Sequence, residues 1–284
     1  TGYAPLTEPF VPMMREMPKV PAPRAYLDGL DAEDPATGAH YAAMLEERIL
    51  AEGSDTVLAF IVEPVGGAST GALVPPAGYM RAVRDICDRH GVLLIHDEVM
   101  SGGGRTGRFL GADHWDVAPD IIALSKGFGA GYAPLGAMVA HERLVGPVLD
   151  AGGFQHGYTY AGNPLACAAG IAVLDEIQAE GLMENAARIG ALLKSRLTDL
   201  MQRFPFIGDS AAMSSLLPLP FPFVFSYLRN HARSERGSFP SGRSRRRAAA
   251  QPRASAPAAG ALRPGRRRNV GGRPVAAPGR AAGQ

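Results

Sequence analysis

The chain has 284 residues, 46% hydrophobic and 20% charged, enough for one large domain or two small ones with a real core, which excludes a peptide, a coiled coil or a collagen-like fibre. Its net charge of +2 hides a split: residues 1–209 carry 15 Lys+Arg against 26 Asp+Glu, whereas residues 210–284 carry 14 Arg against one acid, Glu235. Only Cys87 and Cys167 occur, so no disulfide framework can form, and with no basic-then-apolar leader after Thr1 a reducing, cytoplasmic setting is expected.

In chain order, the stretch to about Asp34 holds Pro5, Pro9, Pro12, Pro18, Pro21 and Pro23, a density that blocks helix interiors and central strands and predicts an extended path. Residues 40–50 place Tyr41, Met44, Leu45 and Ile49 at helical spacing before Gly53, which predicts a surface helix. Residues 57–65 form a near-continuous apolar run, the pattern of a parallel strand buried on both faces. Residues 77–90 sort Tyr79, Met80, Val83, Ile86 and Cys87 from Arg81, Arg84, Asp85, Asp88 and Arg89 and predict an amphipathic crossover helix closed by Gly91. Further strands are expected at 92–95, 121–124 and 135–140, and long helices at 165–179 and 182–204. Such alternation implies an α/β fold: a mostly parallel sheet with helices on both faces.

After Asp209 the periodicity stops, and Arg, Ala, Pro, Gly and Ser dominate. Residues 210–284 are therefore expected to be a separate, disordered basic tail. A basic arm for nucleic acid is one reading. The preferred one is a stretch never selected to fold, because its abrupt onset and its lack of Lys and Asp match translation of GC-rich DNA in an unintended frame, so nucleic acid is not an expected partner. The apolar run at 216–228 is too short for a bilayer span and holds Pro218, Pro220 and Pro222, so no membrane segment is expected.

In open parallel sheets, ligands sit beyond the carboxyl ends of the strands. There the sequence places Glu63, the pair Asp97 and Glu98, and Lys126. A lysine directly after an apolar strand needs a partner or a reaction. It could form a Schiff base with an aldehyde cofactor whose pyridine nitrogen is held by the aspartate; a buried ion pair or a snorkelling rim lysine is the alternative. Gly102, Gly104 and Gly107 in SGGGRTG have dinucleotide-fingerprint spacing. The helix that this fingerprint requires does not follow in RFLGADHWDVAPD, so they are read as a tight active-site loop. His96 should point away from Asp97 and serve packing.

The blocks VEPVGGASTGALVPPAGYMRAVRDICDRHGVLLIHDEVMSGGGRTG, DVAPDIIALSKGFGAGYAPLGAMVA and HGYTYAGNPLACAAGIAVLDEI resemble the class III aminotransferases, pyridoxal 5'-phosphate enzymes of fold type I. The resemblance covers roughly residues 1–209 and implies part of that family's large domain. It implies that Lys126 forms the Schiff base and shuttles the proton between substrate Cα and cofactor C4′, that Asp97 pairs with the pyridinium nitrogen, and that Val99, on the same strand face, packs on the ring. Thr159 would bind the cofactor phosphate across a homodimer interface, and Glu63 matches a glutamate near the site. No metal is implied.

The implied reaction passes an amino group from an amino donor to a 2-oxo acid. A decarboxylase or amino-mutase of the same fold, or a non-catalytic protein with a nucleic-acid-binding tail, is the alternative. Family members carry a phosphate-binding turn and a ring-stacking aromatic before the part matched, and a C-terminal domain with a carboxylate-gripping arginine after it. The expectation is therefore a truncated fragment, inactive by itself. Met100 stands where many relatives have Gln, and GGAST lacks an acid found in some ω-amino-acid enzymes, which leans away from the ornithine and γ-aminobutyrate branches.

Overall fold

The structure, a computed structural model, describes residues 7–67 and 69–204. The expectations for the tail at 210–284 lie outside the described residues.

A short 3-10 helix, Glu8–Met13, is followed by irregular chain up to Asp34. The prolines thus exclude regular helix, as expected, but admit one 3-10 segment with Pro12 inside it. This stretch lies partly on the chain's own core, since Ala25 is buried in it and Val20 packs against it.

Helix α1 spans Pro35–Glu52. Asp34 caps it by accepting the Ala36 N–H at 2.9 Å, and Pro35 opens the first turn where no N–H is needed. Tyr41, Leu45 and Ile49 recur every fourth residue and are buried, so one stripe of α1 faces inward. Helix α2, Tyr79–His90, buries Tyr79, Met80, Val83, Ile86 and Cys87. It ends at Gly91, whose φ of +66° lets the Gly91 and Val92 N–H groups turn back onto Asp88 and Cys87 carbonyls. The two helices meet at Gly38, where an added Cβ would stand 2.0 Å from the Ala77 carbonyl oxygen. No larger residue fits there.

Four strands form one sheet in the order β1-β2-β3-β4: β1 Ala59–Val62, β2 Leu93–Asp97, β3 Ile121–Leu124 and β4 Ala137–Ala140. The first three run parallel, and β4 is antiparallel to β3. The register pairs Val62 with His96 and Asp97 with Ala123, which brings the carboxyl ends of β1, β2 and β3 level. One face carries Phe60, Val62 and Leu94 against the α1–α2 core. The opposite face is less covered, with Ile61 58% exposed. The predicted strand at 57–65 is accordingly shorter than its apolar run and is not buried on both faces, because little among the described residues covers the face that carries Ile61.

At the amino end of the sheet, Asp120 accepts the Leu94 N–H at 2.7 Å and the Arg84 guanidinium at 3.0 Å, and it also pairs with Arg143. Later come α3 Val145–Asp150, α4 Pro164–Ala179 and α5 Leu182–Arg203. Asn163 caps α4 through its side-chain oxygen. Ile177 of α4, with Met183 and Ala187 of α5, packs on Gly104 and Gly107, so these helices back the glycine loop. Among the described residues no helix is long and apolar enough to cross a membrane.

Candidate functional site

The level strand ends place Glu63, Asp97 and Lys126 along one edge of the sheet. Glu63 follows β1 and accepts the Gly67 N–H on Oε2. A Cβ at Gly67 would lie 3.0 Å from Met100 Cγ and 3.6 Å from Glu63 Oε2, so the turn after β1 packs against the turn after β2. Met100 Sδ in turn accepts a hydrogen bond from Lys126 Nζ at 3.0 Å. Glu63, Met100 and Lys126 are thus joined by one run of contacts across three strand ends.

Lys126 follows β3 by two residues and sits in the left-handed region at φ +43°. For a residue with a Cβ this costs on the order of 1 kcal/mol and persists only where the surroundings fix it. The 3-10 turn Lys126–Phe128 does so, with the Phe128 N–H on the Ser125 carbonyl at 2.9 Å and the Gly129 N–H on the Lys126 carbonyl at 3.2 Å. The side chain is exposed, and its partner is a neutral thioether. No ion pair among the described residues includes Lys126 or Asp97. The structure therefore does not make the buried Asp97–Lys126 pair that the sequence left open; the lysine stands at the rim.

Asp97 is half-buried at the last position of β2. Its Oδ1 accepts the Val99 N–H at 3.1 Å, while Oδ2 has no hydrogen bond among the described residues. That bond corrects one expectation. Val99 does not share a strand face with Asp97, because the strand stops at Asp97 and Val99 lies in the turn that Asp97 holds. Thr159 sits exposed in the turn before α4, flanked by Tyr158 and Tyr160. No hydrogen bond or ion pair among the described residues links it to Asp97, Val99 or Lys126.

His96 points to the helix side, as strand alternation requires, and is fully buried. Neither ring nitrogen has a hydrogen-bond partner among the described residues. Burial pushes its pKa down to about 4; the Arg84 charge adds to this and Asp120 opposes it. It is a neutral packing residue. The expected glycine loop also forms: Gly103 and Gly104 N–H groups reach the Phe109 carbonyl at 2.9 and 3.3 Å, and only the 3-10 turn Gly111–His114 follows. This leaves no helix N-terminus of the dinucleotide kind.

The sequence names Glu98 only as an acid at a strand end, whereas the structure gives it the densest set of bonds near the site. Fully buried, it accepts from Ser101 Oγ and from the Gly111 and Ala112 N–H groups, each amide at 2.9 Å. The one local signal is Ser101, three residues on; the two amides are remote in sequence.

A parallel α/β sheet with a lysine turn and an aspartate at adjacent strand ends defines the class of fold and site, and similarity narrows it. The chain belongs to the aminotransferase class-III family, which it matches over residues 1–215. It is 44% identical over 188 residues to the diaminobutyrate–2-oxoglutarate transaminase of Halomonas elongata, covering 64% of this chain and 39% of that one. It is 39% identical over 206 residues to the taurine–pyruvate aminotransferase of Bilophila wadsworthia, covering 71% and 44%.

Among solved structures, an amine transaminase from an uncultivated Pseudomonas species, in its PLP-bound form, is 48% identical with a TM-score of 0.59, over 61% of this chain and 40% of that one. A thermostable (S)-enantioselective ω-transaminase from Thermomicrobium roseum is 39% identical with a TM-score of 0.63, over 71% and 47%. The chain spans under half the length of these relatives.

Proposed function

We propose that the chain carries the lysine site of pyridoxal-phosphate-dependent transamination, the passing of an amino group from an amino donor to a 2-oxo acid. The observation that carries this reading is the Lys126 amine, held in a left-handed turn at a strand end with no carboxylate among the described residues to neutralise it. Family membership supports it, as do the acceptors in the relatives' names, 2-oxoglutarate and pyruvate. Those names give no support to a decarboxylase or an amino-mutase.

The residues present fit the cofactor at its ring end. An aldehyde group needs an amine free of any ion pair, and a pyridine nitrogen needs a carboxylate oxygen not already bonded; Lys126 Nζ and Asp97 Oδ2 are such groups. Bound pyridoxal phosphate supplies an electrophilic carbon and a ring that draws electrons from the donor's Cα. Lys126 would hold it covalently and would carry the donor's Cα proton to the cofactor's C4′ carbon, acting first as general base and then as general acid. Asp97 would keep a proton on the ring nitrogen through Oδ2. Val99, fixed by its N–H to Asp97, would pack beside the ring, with Glu63 bracing the Met100 turn at its edge.

Thr159 would bind the phosphate of a second copy's site, so the working form is a homodimer. The exposure of Tyr158 at 73% and of Tyr160 at 81% around Thr159 supports this, since such apolar surface is a common mark of an interface. The catalytic region is residues 1–209, a boundary close to the end of the family match at 215. A cytoplasmic location accords with the two free thiols of Cys87 and Cys167.

The test is the absorbance spectrum of the purified full chain with added pyridoxal phosphate, before and after Lys126→Ala. Background is low, because the only other lysines are Lys19 and Lys194. A band at the visible edge that disappears in the variant supports the reading. No band in folded protein overturns it.

A further inference from the structure

We propose that Glu98 is the positioning residue of this site: it holds the lysine turn in place through the glycine loop, without touching Lys126. The inference rests on the proposed role of Lys126, but its argument concerns the chain's own hydrogen bonds.

Glu98 is 0% exposed and makes no ion pair among the described residues. Its carboxylate is satisfied by hydrogen-bond donors alone: Ser101 Oγ and the Gly111 N–H on Oε2, and the Ala112 N–H on Oε1. Its main chain is committed as well. The N–H donates to the Ala123 carbonyl of β3 at 2.9 Å, and the carbonyl accepts the Gly102 N–H at 2.8 Å. Every polar group of this residue thus fastens either the start of the loop at 98–102 or its end at 111–112 to the strand ends.

The fastened loop has no slack against the lysine turn. A Cβ at Gly103 would stand 3.0 Å from the Gly127 carbonyl carbon, and a Cβ at Gly127 would stand 3.1 Å from the Gly102 carbonyl oxygen. A Cβ at Gly102 would lie 2.6 Å from Leu124 Cδ2, on the last residue of β3. The loop therefore packs backbone on backbone just after Lys126 and on the Leu124 side chain just before it. The same loop carries Met100, the hydrogen-bond partner of Nζ. A left-handed lysine turn relaxes unless its neighbours prevent it, and the neighbour here is a loop clamped by one carboxylate.

The chemistry requires a carboxylate and not merely a polar side chain. A carboxylate is acceptor-only on both oxygens, whereas an amide has one acceptor oxygen and one donor nitrogen. In Glu98→Gln, whichever way the amide is turned, its nitrogen faces the Gly111 or the Ala112 N–H, and one buried amide loses its partner. The Gly111 position offers no room to relax, because a Cβ there would already meet Ser101 Cβ at 2.7 Å and Glu98 Oε2 at 3.1 Å.

The experiment compares the wild-type full chain with Glu98→Gln, Ser101→Ala and Asp120→Asn in two measurements. The first is amide hydrogen exchange. Glu98→Gln should accelerate exchange at Gly111, Ala112 and also Phe128 and Gly129, by about tenfold or more if a buried bond is lost, with Leu94 on β2 unchanged. The second is the rate at which added pyridoxal phosphate generates the Lys126-dependent band, which Glu98→Gln should slow by about tenfold.

Ser101→Ala removes one of the three donors, so it should slow the band by a smaller factor, and it serves if Glu98→Gln fails to fold. Asp120→Asn lowers Tm through the opposite end of the sheet and should leave the rate within about twofold of wild type, separating positioning from general destabilisation. An unchanged rate and unchanged exchange at Phe128 and Gly129 in folded Glu98→Gln overturns the proposal, as does slowing by Asp120→Asn equal to that by Glu98→Gln. If the wild type gives no band, the cofactor reading fails, and exchange at Phe128 and Gly129 alone decides for or against the clamp.

Discussion

The part of the described fold built from α1, α2, β1 and β2 closes on itself, whereas the part from β4 through α5 does not. In the first, Met80, Val83, Leu94 and Cys87 are fully buried around one core. In the second, α3 buries none of its residues, α4 buries only Gly170 and Val173, and α5 only Gly190. The contrast does not come from helix-forming ability, since α4 is capped by Asn163 and α5 keeps an apolar stripe. It teaches that the first region buries its apolar surface within the chain while the second leaves its apolar surface open, with the Glu98-bonded loop and the lysine turn on the seam between them.

The sharpest way to break this comparison is to make the same truncation on each side. Met80→Ala leaves a cavity in the closed core and should cost about 3 kcal/mol of unfolding free energy, read as a lower urea midpoint at unchanged slope. A shift no larger than that of a surface variant would mean that the core is not the stabilising unit.

The next effect is a pH dependence located in the closed region. His96 has its pKa pushed from the usual 6.5 down to about 4, and its ring nitrogens have no partners among the described residues. Between those values the unfolded chain binds a proton that the folded chain refuses, so stability is full above about 6.5 and falls as pH drops toward 4. The whole loss is on the order of 3 kcal/mol. His96→Leu should flatten that part of a stability-against-pH curve; a slope that survives would place the titration elsewhere.

Asp120 acts lower on the pH scale. Burial alone would raise its pKa, and the Leu94 N–H with the Arg84 and Arg143 guanidiniums overrides this and holds it below the ordinary carboxylate value. Its contribution is present above that ordinary value, about 3.9, and is lost as pH falls through the lower folded value. Asp120→Asn should remove that acid limb and cost about 2 kcal/mol at neutral pH. An acid limb as steep as wild type would show that the three donors do not favour the charged form.

His96 also shows what the sequence makes legible. Ile121–Leu124 and the packing role of His96 follow from signals a few residues long: an apolar run and a period of two. The full length of the run at 57–65 misleads because hydropathy does not reveal how little covers the face that carries Ile61. Lys126, Asp97 and Glu63 are legible as strand-end residues and through the family pattern. Glu98 is legible only as a strand-end acid and its bonding is not, because its amide partners lie 13 and 14 residues away and only loop closure brings them back. The left-handed turn at Lys126 is hidden for the same reason, since the Gly102 and Gly103 loop that packs against it comes from another strand end. Thr159 is a different case: it is legible only through the family pattern, because its proposed role belongs to a second copy.

The smallest expected effect on folding is the most informative about the open region. Leu165 at the start of α4 is 78% exposed, two residues from the cap and six from Thr159. Leu165→Ala removes almost no buried surface within the chain and exchanges one good helix former for a better one, so unfolding free energy should change by less than about 0.5 kcal/mol. If a second copy covers this face, the same change removes buried apolar area between chains and weakens association by roughly 1–2 kcal/mol, about a tenfold rise in the dimer dissociation constant. Sedimentation over a concentration series at neutral pH reads that quantity directly. An unchanged dissociation constant would move the interface off α4, and a monomer at every concentration would remove the second copy as the surface that covers it.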